Sequence, residues 1–434
     1  MPTFIHAADL HLDSPLQRLE AYEGAPVDQI REAARRALEN LVQLAIEREV
    51  DLVVIAGDLY DGDWQDHNTG LFFVSQVSKL VRHGIPVVAI SGNHDAQSQM
   101  TRSLPLPKNP DGSDIMLSSR KAESRRFPES GFVVHGRSFG NRAETENMLP
   151  GYPAADGGMF NIGLLHTSLT GAEGHDNYAP CTPADLVAKQ YQYWALGHVH
   201  TRGEHHDQTD PTAAPILFSG NIQGRHPRET GPKGCVIVDV ASDGKPTHSF
   251  HPLDVVRWEI CPLDLSSVER IDDLYDRYSV WLRDAIEQAE DRILVHRVRL
   301  FGTTKLHGQL TTDLVGIENS LRAIALNIAG EQSWLERVRL KTTLPVGDLQ
   351  DFDPTGPLGC LETVLAEWRD VATTEDDEQP HELHEALSDL IRKLPDELTN
   401  AQLDPLQLTT PEMLQELVAA ARPLLHAELR QTEG

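Results

Sequence analysis

The sequence predicts an α/β protein with more than one domain, on three observations. Its 434 residues exceed what one compact domain of ordinary size, roughly 150 residues, would need. Over the first 240 or so residues, short β-like runs alternate with stretches of helical periodicity. A second series of strand, helix, strand, helix, strand follows, and the chain closes in amphipathic helical segments.

The β-branched and aromatic runs Thr3–Ala8, Asp51–Ala56, Pro86–Ile90, Phe132–Phe139, Asn161–Leu165, Tyr193–Leu196, Ile216–Phe218 and Cys235–Val240 are expected strands. Between the early ones, Gln29–Arg48 sets Ile30, Ala34, Leu38, Leu41 and Ala45 on one face of a helix, and Leu71–Val81 does the same. Pro105–Gly112 and Gly151–Gly158 carry the Gly and Pro of surface insertions. The second unit is expected as strands Val255–Ile260, Ile293–Phe301 and Leu335–Leu340 with helices Ile271–Ala289 and Leu314–Ile328. Pro345–Pro357 has the composition of a linker. Helical segments Leu361–Trp368, Leu383–Leu394 and Met413–Leu425 come after it. The expected domains are therefore residues 1–253, 254–344 and 345–434.

Composition narrows the function. A 40% hydrophobic and 24% charged chain builds real cores, and no apolar run approaches the roughly 18 residues of a membrane span. The N-terminus has neither a basic flank nor a signal-type apolar core. Cys181, Cys235, Cys261 and Cys360 are far apart and form no CxxC pair, which argues against a disulfide framework or a zinc–thiolate site and fits a reducing cytoplasm. The net charge of −28 opposes phosphate binding. From Thr343 onward, however, 20 acidic residues face 5 basic ones, so more than half of that excess lies in the last fifth of the chain.

Five short motifs carry the chemistry: Asp9-Leu10-His11, Gly57-Asp58-Leu59-Tyr60-Asp61, Gly92-Asn93-His94-Asp95, the isolated His166, and Gly197-His198-Val199-His200. Each lies just past the C-terminal end of an expected strand, the edge at which open α/β sheets bind ligands. The residue types suit two divalent ions. Asp58 has two carboxylate oxygens with which to bridge them; Asp9, His11 and His200 complete one site, and Asn93, His166 and His198 the other. A nitrogen and oxygen donor set without thiolate favours Mn²⁺, Fe²⁺ or Zn²⁺. Two such ions, roughly 3.5–4 Å apart, clamp both oxygens of an in-line phosphoryl displacement. Any one motif alone is a common strand-end turn or a packed histidine; five in this order are not.

That order resembles the calcineurin-like metallophosphoesterase superfamily. Residues 1–255 are similar to the SbcD-type DNA exonucleases, and most of all to the bacterial YhaO family, through Gly57–Trp64, Asn68–Phe73, Gly92–Thr101, Gly220–His226 and Gly234-Cys235. The likeness is looser through the second unit and weak over the last 90 residues. The resemblance implies a four-layer αββα metallophosphoesterase domain, a small α/β capping domain, and a two-Mn²⁺ site that cleaves DNA phosphodiesters. Carried over residue by residue, it gives Asp9, His11, Asp58 and His200 to one metal and Asp58, Asn93, His166 and His198 to the other. His94 becomes a non-ligand that stabilises the transition state or protonates the leaving oxygen, with Asp95 as its orienter. Archaeal and eukaryotic relatives have His three residues after the bridging Asp; this chain has Asp61.

Arg225 and His226 are candidate DNA contacts, and the basic run Arg120, Lys121, Arg125, Arg126 is a second candidate or a solvated loop. Nuclease relatives work with a coiled-coil ABC-type ATPase, SbcC-like or YhaN-like, and the resemblance also implies a homodimer. Met413, Leu414, Leu417, Val418 and Ala421 form an apolar stripe suited to docking such a partner or to packing on the chain itself. A phosphatase or phosphodiesterase acting on small nucleotides or phosphoproteins shares the same site, and a regulatory subunit of an ATPase is the non-enzymatic alternative.

Overall fold

The computed structural model describes residues 1–13, 27–61, 67–96, 105–169, 178–205, 214–345, 356, 359–365, 422 and 425. The chain divides into two compact units. One comprises Met1–Ile260, Ala285–His296 and Ala329–Glu336; the other comprises Cys261–Asp284, Arg297–Ile328 and Arg337–Gly434.

The first unit is built on two sheets. In one, β1 (Thr3–Ala7), β2 (Leu52–Ala56), β3 (Val87–Ile90), β10 (Gly234–Val240) and β11 (Pro246–Pro252) lie in the order β11-β10-β1-β2-β3. In the other, β4 (Glu123–Phe127), β5 (Phe132–Gly136), β6 (Phe160–His166), β7 (Tyr193–Gly197), β8 (Gly203–His205) and β9 (Ile216–Phe218) lie in the order β4-β5-β6-β7-β9-β8. β1, β2 and β3 run parallel, as do β5, β6, β7 and β9, so the C-terminal ends within each set lie along one edge of its sheet.

Alternation along these strands makes the layers. Ile5, Ala7, Val53, Ile55, Val87 and Ala89 meet the apolar stripes of α1 (Val27–Glu47) and α2 (His67–Arg82), among them Leu38, Leu41, Phe73 and Val77. Phe4, Val54, Val88 and Ile90 point the other way, into Phe132, Val134, Ile162, Leu164 and Tyr193 of the second sheet. Phe4 makes edge-on ring contacts with Phe132 and Tyr193 at 5.4 and 5.2 Å. The far face of the second sheet, with Leu165, Trp194, Leu196 and Phe218, is covered by loop residues Phe139, Leu149 and Tyr152 and by Leu186 of the short α3 (Pro183–Val187). These are the four expected layers, the fourth reduced among the described residues to one five-residue helix, a 3-10 turn at Leu149–Gly151 and loops. His6 crosses between the sheets: its Nδ1 lies 3.0 Å from the Tyr193 hydroxyl and its Nε2 3.1 Å from the Leu196 carbonyl.

Three strands were absent from the sequence expectations: β4, β8 and β11. All three are edge strands, mostly polar and half-exposed, so they lack the apolar signal that marks a central strand. Arg125 and Arg126 consequently lie on β4 and not in a loop, ion-paired with Glu123 and Asp156 at 3.0 Å each.

Beyond β11, a three-stranded sheet has the order β12-β13-β14, from β12 (Val256–Asp264), β13 (Ile293–Thr303) and β14 (Ser333–Thr343). Its connections contain α4 (Ile271–Ala289), α5 (His307–Thr312) and α6 (Leu314–Ala329). Residues 359–365 are helical, and Glu362 forms a bidentate ion pair with Arg422 at 2.6 Å. The stripe Met413–Ala421 and the segment Leu383–Leu394 lie outside the described residues. Among the described residues no helix is long and apolar enough to cross a membrane.

Candidate metal centre

Each of the five motifs leaves a parallel strand at its C-terminal end. β1 delivers Asp9 and His11, β2 delivers Asp58, and β3 delivers Asn93, His94 and Asp95. On the second sheet, His166 closes β6, and His198 and His200 follow β7. The backbone bends sharply to bring them together: Asp9, His11, Asp58 and His198 all have positive φ, at 52°, 43°, 51° and 100°. Side chains other than glycine rarely hold that conformation, and strain of this kind concentrates at functional sites.

Two groups of donors result, and a third shares His11 with the first. Asp9, His11 and His200 offer ligand atoms within 4.8 Å of one another, as do Asp58, His166 and His198, and as do His11, Asp61 and His94. Asn93 joins the second group, its Oδ1 lying 3.0 Å from His166 Nε2 and 3.2 Å from His198 Nδ1. Asp58 stands between the groups, with Oδ2 3.4 Å from His166 Nε2 and 3.8 Å from His11 Nε2. The backbone N–H of His198 donates to both oxygens of Asp9 at 3.0 Å.

The residues fit divalent cations on several counts. Two carboxylates and five imidazole or amide groups converge without a thiolate, the donor chemistry of a hard to borderline metal. The Nε2 atoms of His11 and His200 face each other at 3.0 Å, a contact that needs a positive centre or a proton between them. Among the described residues His11 Nδ1 has no hydrogen-bond partner although it is buried. Space is kept open by glycine. A Cβ on Gly92 would collide with Asp58 Oδ1 and the His166 ring, and one on Gly57, which also has φ +94°, would collide with His166 Nδ1.

The electrostatics agree. Burial drives the Asp58 carboxyl up, but the His166 charge and hydrogen bond more than offset this and hold it well below the usual carboxylate range. Burial opposes a charge on His166, yet the Asp58 carboxylate carries that imidazole up to about 9, so a proton holds the position beside Asp58 from which a cation would displace it. Burial lowers His11 to about 3, so it stays neutral with a lone pair available to a cation.

Beside the two groups lies His94. Its backbone N–H donates to Asp58 Oδ1 at 3.0 Å, and its ring Nδ1 lies 2.8 Å from Asp61 Oδ1. The orienting carboxylate is therefore Asp61, and the expectation for Asp95 is corrected. Asp95 turns away from the His94 ring to accept the backbone N–H groups of Leu59 and Tyr60 at 2.9 Å and Gly92 at 3.2 Å, locking two of the motif loops together. Burial, and then the nearby Asp58 charge, push Asp95 up to about 7.

Arg225 reaches the rim of the centre, with Nη1 3.4 Å from Asp61 Oδ2 and Nη2 3.4 Å from Glu229 Oε1. His226 is half-exposed, its Nε2 3.4 Å from Glu229 Oε1.

Residues 2–202 match the family described as calcineurin-like phosphoesterase. The chain carries a calcineurin-like metallophosphoesterase domain. Residues 258–343 match the middle domain of metallophosphoesterase YhaO. The chain is 34% identical over 277 residues to an uncharacterized metallophosphoesterase YhaO of Bacillus subtilis, covering 63% of this chain and 65% of that one. It is 28% identical over 210 residues to a DNA double-strand break repair protein Mre11 of Methanopyrus kandleri, covering 45% and 44%. Less than two thirds of either relative's length is thus spanned. A solved dimetal phosphatase from Danio rerio aligns with 57% of this chain and 98% of its own, at 14% identity and a TM-score of 0.34.

Proposed function

We propose that the chain is a metal-dependent DNA nuclease of exonuclease type, acting in DNA repair in the cytoplasm with a coiled-coil ABC-type ATPase of SbcC or YhaN kind. The observation that carries this reading is a pair of ligand groups meeting at Asp58, with a histidine oriented by Asp61 beside them. Likeness to proteins named for double-strand break repair supports DNA as the substrate.

In this reading Asp9, His11, Asp58 and His200 hold one ion, and Asp58, Asn93, His166 and His198 the other; the donor set suits Mn²⁺, Fe²⁺ or Zn²⁺, and the family resemblance selects Mn²⁺. Bound there, the pair supplies Lewis-acid charge against phosphate oxygens and acidifies water. The chain does the rest. Asp61 accepts a proton-bearing Nδ1 and so leaves Nε2 of His94 to serve the reaction. Burial alone would lower the His94 pKa, but the Asp61 hydrogen bond and the Asp58 and Asp61 charges raise it, favouring the protonated form that a leaving oxygen needs. Arg225 at the rim, with His226 beside it, is the candidate contact for an incoming phosphate.

Residues 1–253 act in this reading as the nuclease domain and 254–344 as a capping domain; 345–434 serve as linker and docking segment. The decisive assay is Mn²⁺-dependent release of nucleotides from linear duplex DNA, run beside mononucleotide and phosphopeptide hydrolysis. Release from DNA that disappears in His94→Ala supports the proposal. Turnover of the small substrates alone turns it into a phosphatase. No turnover of either turns it into a regulatory subunit. Truncation after Pro357 is expected to keep hydrolysis of short DNA and to lose capture of the ATPase in a pull-down.

A further inference from the structure

His200 is held more tightly than any motif on β7 requires, and by a segment whose sequence suggested a DNA contact. The stretch from Gly220 to Gly234 leaves β9 and returns as β10. Within it Glu229 is buried, and its carboxylate spends all its contacts inside the protein. Oε1 lies 2.7 Å from His200 Nδ1. Oε2 accepts the Asn221 side-chain amide at 3.0 Å and the Arg225 backbone N–H at 2.7 Å. Four residues on, the ammonium of buried Lys233 donates to the His200 carbonyl at 3.0 Å.

We propose that Glu229 is a positioning residue that orients His200 as a ligand of the metal centre. An ionised carboxylate only accepts, so a 2.7 Å approach to Nδ1 requires the proton to sit on Nδ1. Arg225 Nη2 lies farther from the same nitrogen, at 3.3 Å, and as a donor cannot bond a protonated Nδ1. With Nδ1 protonated, Nε2 carries the lone pair, and Nε2 is the atom that faces His11 across 3.0 Å. The hydrogen bond thus fixes both tautomer and ring angle. Asn221, Arg225 and Lys233 hold the orienter and the ligand backbone in place. The stretch 220–234 is on this account a brace for the metal centre.

The inference rests on the reading of His200 as a ligand, and the test separates the two. Mn²⁺ binding to the full chain is measured by titration calorimetry for wild type, Glu229→Gln, His200→Ala and the double variant. Co²⁺-loaded protein is examined by visible absorption, which reports ligand-field geometry directly. Glu229→Gln is expected to weaken one of the two binding events by about 10–100-fold and to shift the Co²⁺ spectrum, with the other event unchanged. In the His200→Ala background the same change is expected to add nothing, because the orienter has lost its ligand. If Glu229→Gln lowers the melting temperature in EDTA, Glu229→Asp, which keeps the charge and shortens the reach, is read in the same cycle. Equal losses with and without His200, or no loss at all, overturn the positioning role and leave the metal centre standing. Unchanged binding in His200→Ala removes His200 from the ligand set, and the functional reading fails at that ligand.

Discussion

Asp61 Oδ1 lies 2.8 Å from His94 Nδ1, and Asp61 Oδ2 lies 3.4 Å from Arg225 Nη1. One carboxylate, three residues beyond Asp58, thus faces both the histidine and the rim cation. Asp61→Asn keeps the side-chain shape and removes the charge that raises His94. Turnover is expected to fall by less than the about 10²–10⁴-fold ascribed to losing a general acid outright. The sign of the pH effect is definite. A lowered His94 pKa moves the alkaline fall of the rate profile to lower pH. A profile that keeps its alkaline limb would detach Asp61 from His94.

His94→Ala is expected to retain both metal ions and lose about 10²–10⁴-fold in turnover. Its backbone N–H still donates to Asp58, so that carboxylate keeps the contact. Elemental analysis of the purified variant beside its kinetics decides the matter; loss of an ion would place His94 among the ligands.

Asp58→Asn is expected to abolish hydrolysis and to carry fewer than two ions per chain, because a neutral amide bridges two cations poorly. Both oxygens are in use here, Oδ1 at the His94 amide and Oδ2 toward His166 and His11. Full metal content with normal activity is the outcome that sinks the assignment.

Acid is expected to destabilise the fold through histidines buried as neutral rings. Burial lowers His6 from 6.5 to about 3, and it lowers His296 likewise to about 3. The unfolded chain takes up these protons below pH 6.5 and the folded chain does not. The stabilisation is therefore complete above 6.5 and is lost as pH falls toward 3, by up to about 1.4 kcal/mol per pH unit for each group. Urea denaturation of metal-free protein at a series of pH values checks this. His6→Gln, which does not titrate, is expected to flatten the slope; an unaltered slope refutes the account.

What was legible in the sequence follows from burial. Strands such as Leu52–Ala56, buried on both faces, have nearly continuous apolar runs and declare themselves, whereas Pro246–Pro252 at the sheet edge has no such pressure on its residues. The candidate metal-binding residues were legible because each lies within a few positions of a strand end. Asp61 stood in plain view inside the Gly57–Asp61 motif, but adjacency favoured Asp95 as the partner of His94. Neighbouring side chains do not share a direction in a tight turn, and Asp95 points into the amides of Leu59 and Tyr60. Glu229 carried no signal, since its contact with His200 is made by tertiary packing across 29 positions.

Each of the two donor groups draws on both sheets of the first unit. Asp9 and His11 come from one sheet and His200 from the other; Asp58 and Asn93 come from one sheet, His166 and His198 from the other. A cation seated in either group is consequently a staple across the sandwich, a polar counterpart to the ring contacts that Phe4 makes with Phe132 and Tyr193. Sliding of one sheet over the other would dismantle both groups together. Ion occupancy and sandwich cohesion are thus one equilibrium, in which saturating to about a hundred times the dissociation constant adds about 2.7 kcal/mol of resistance to unfolding per site.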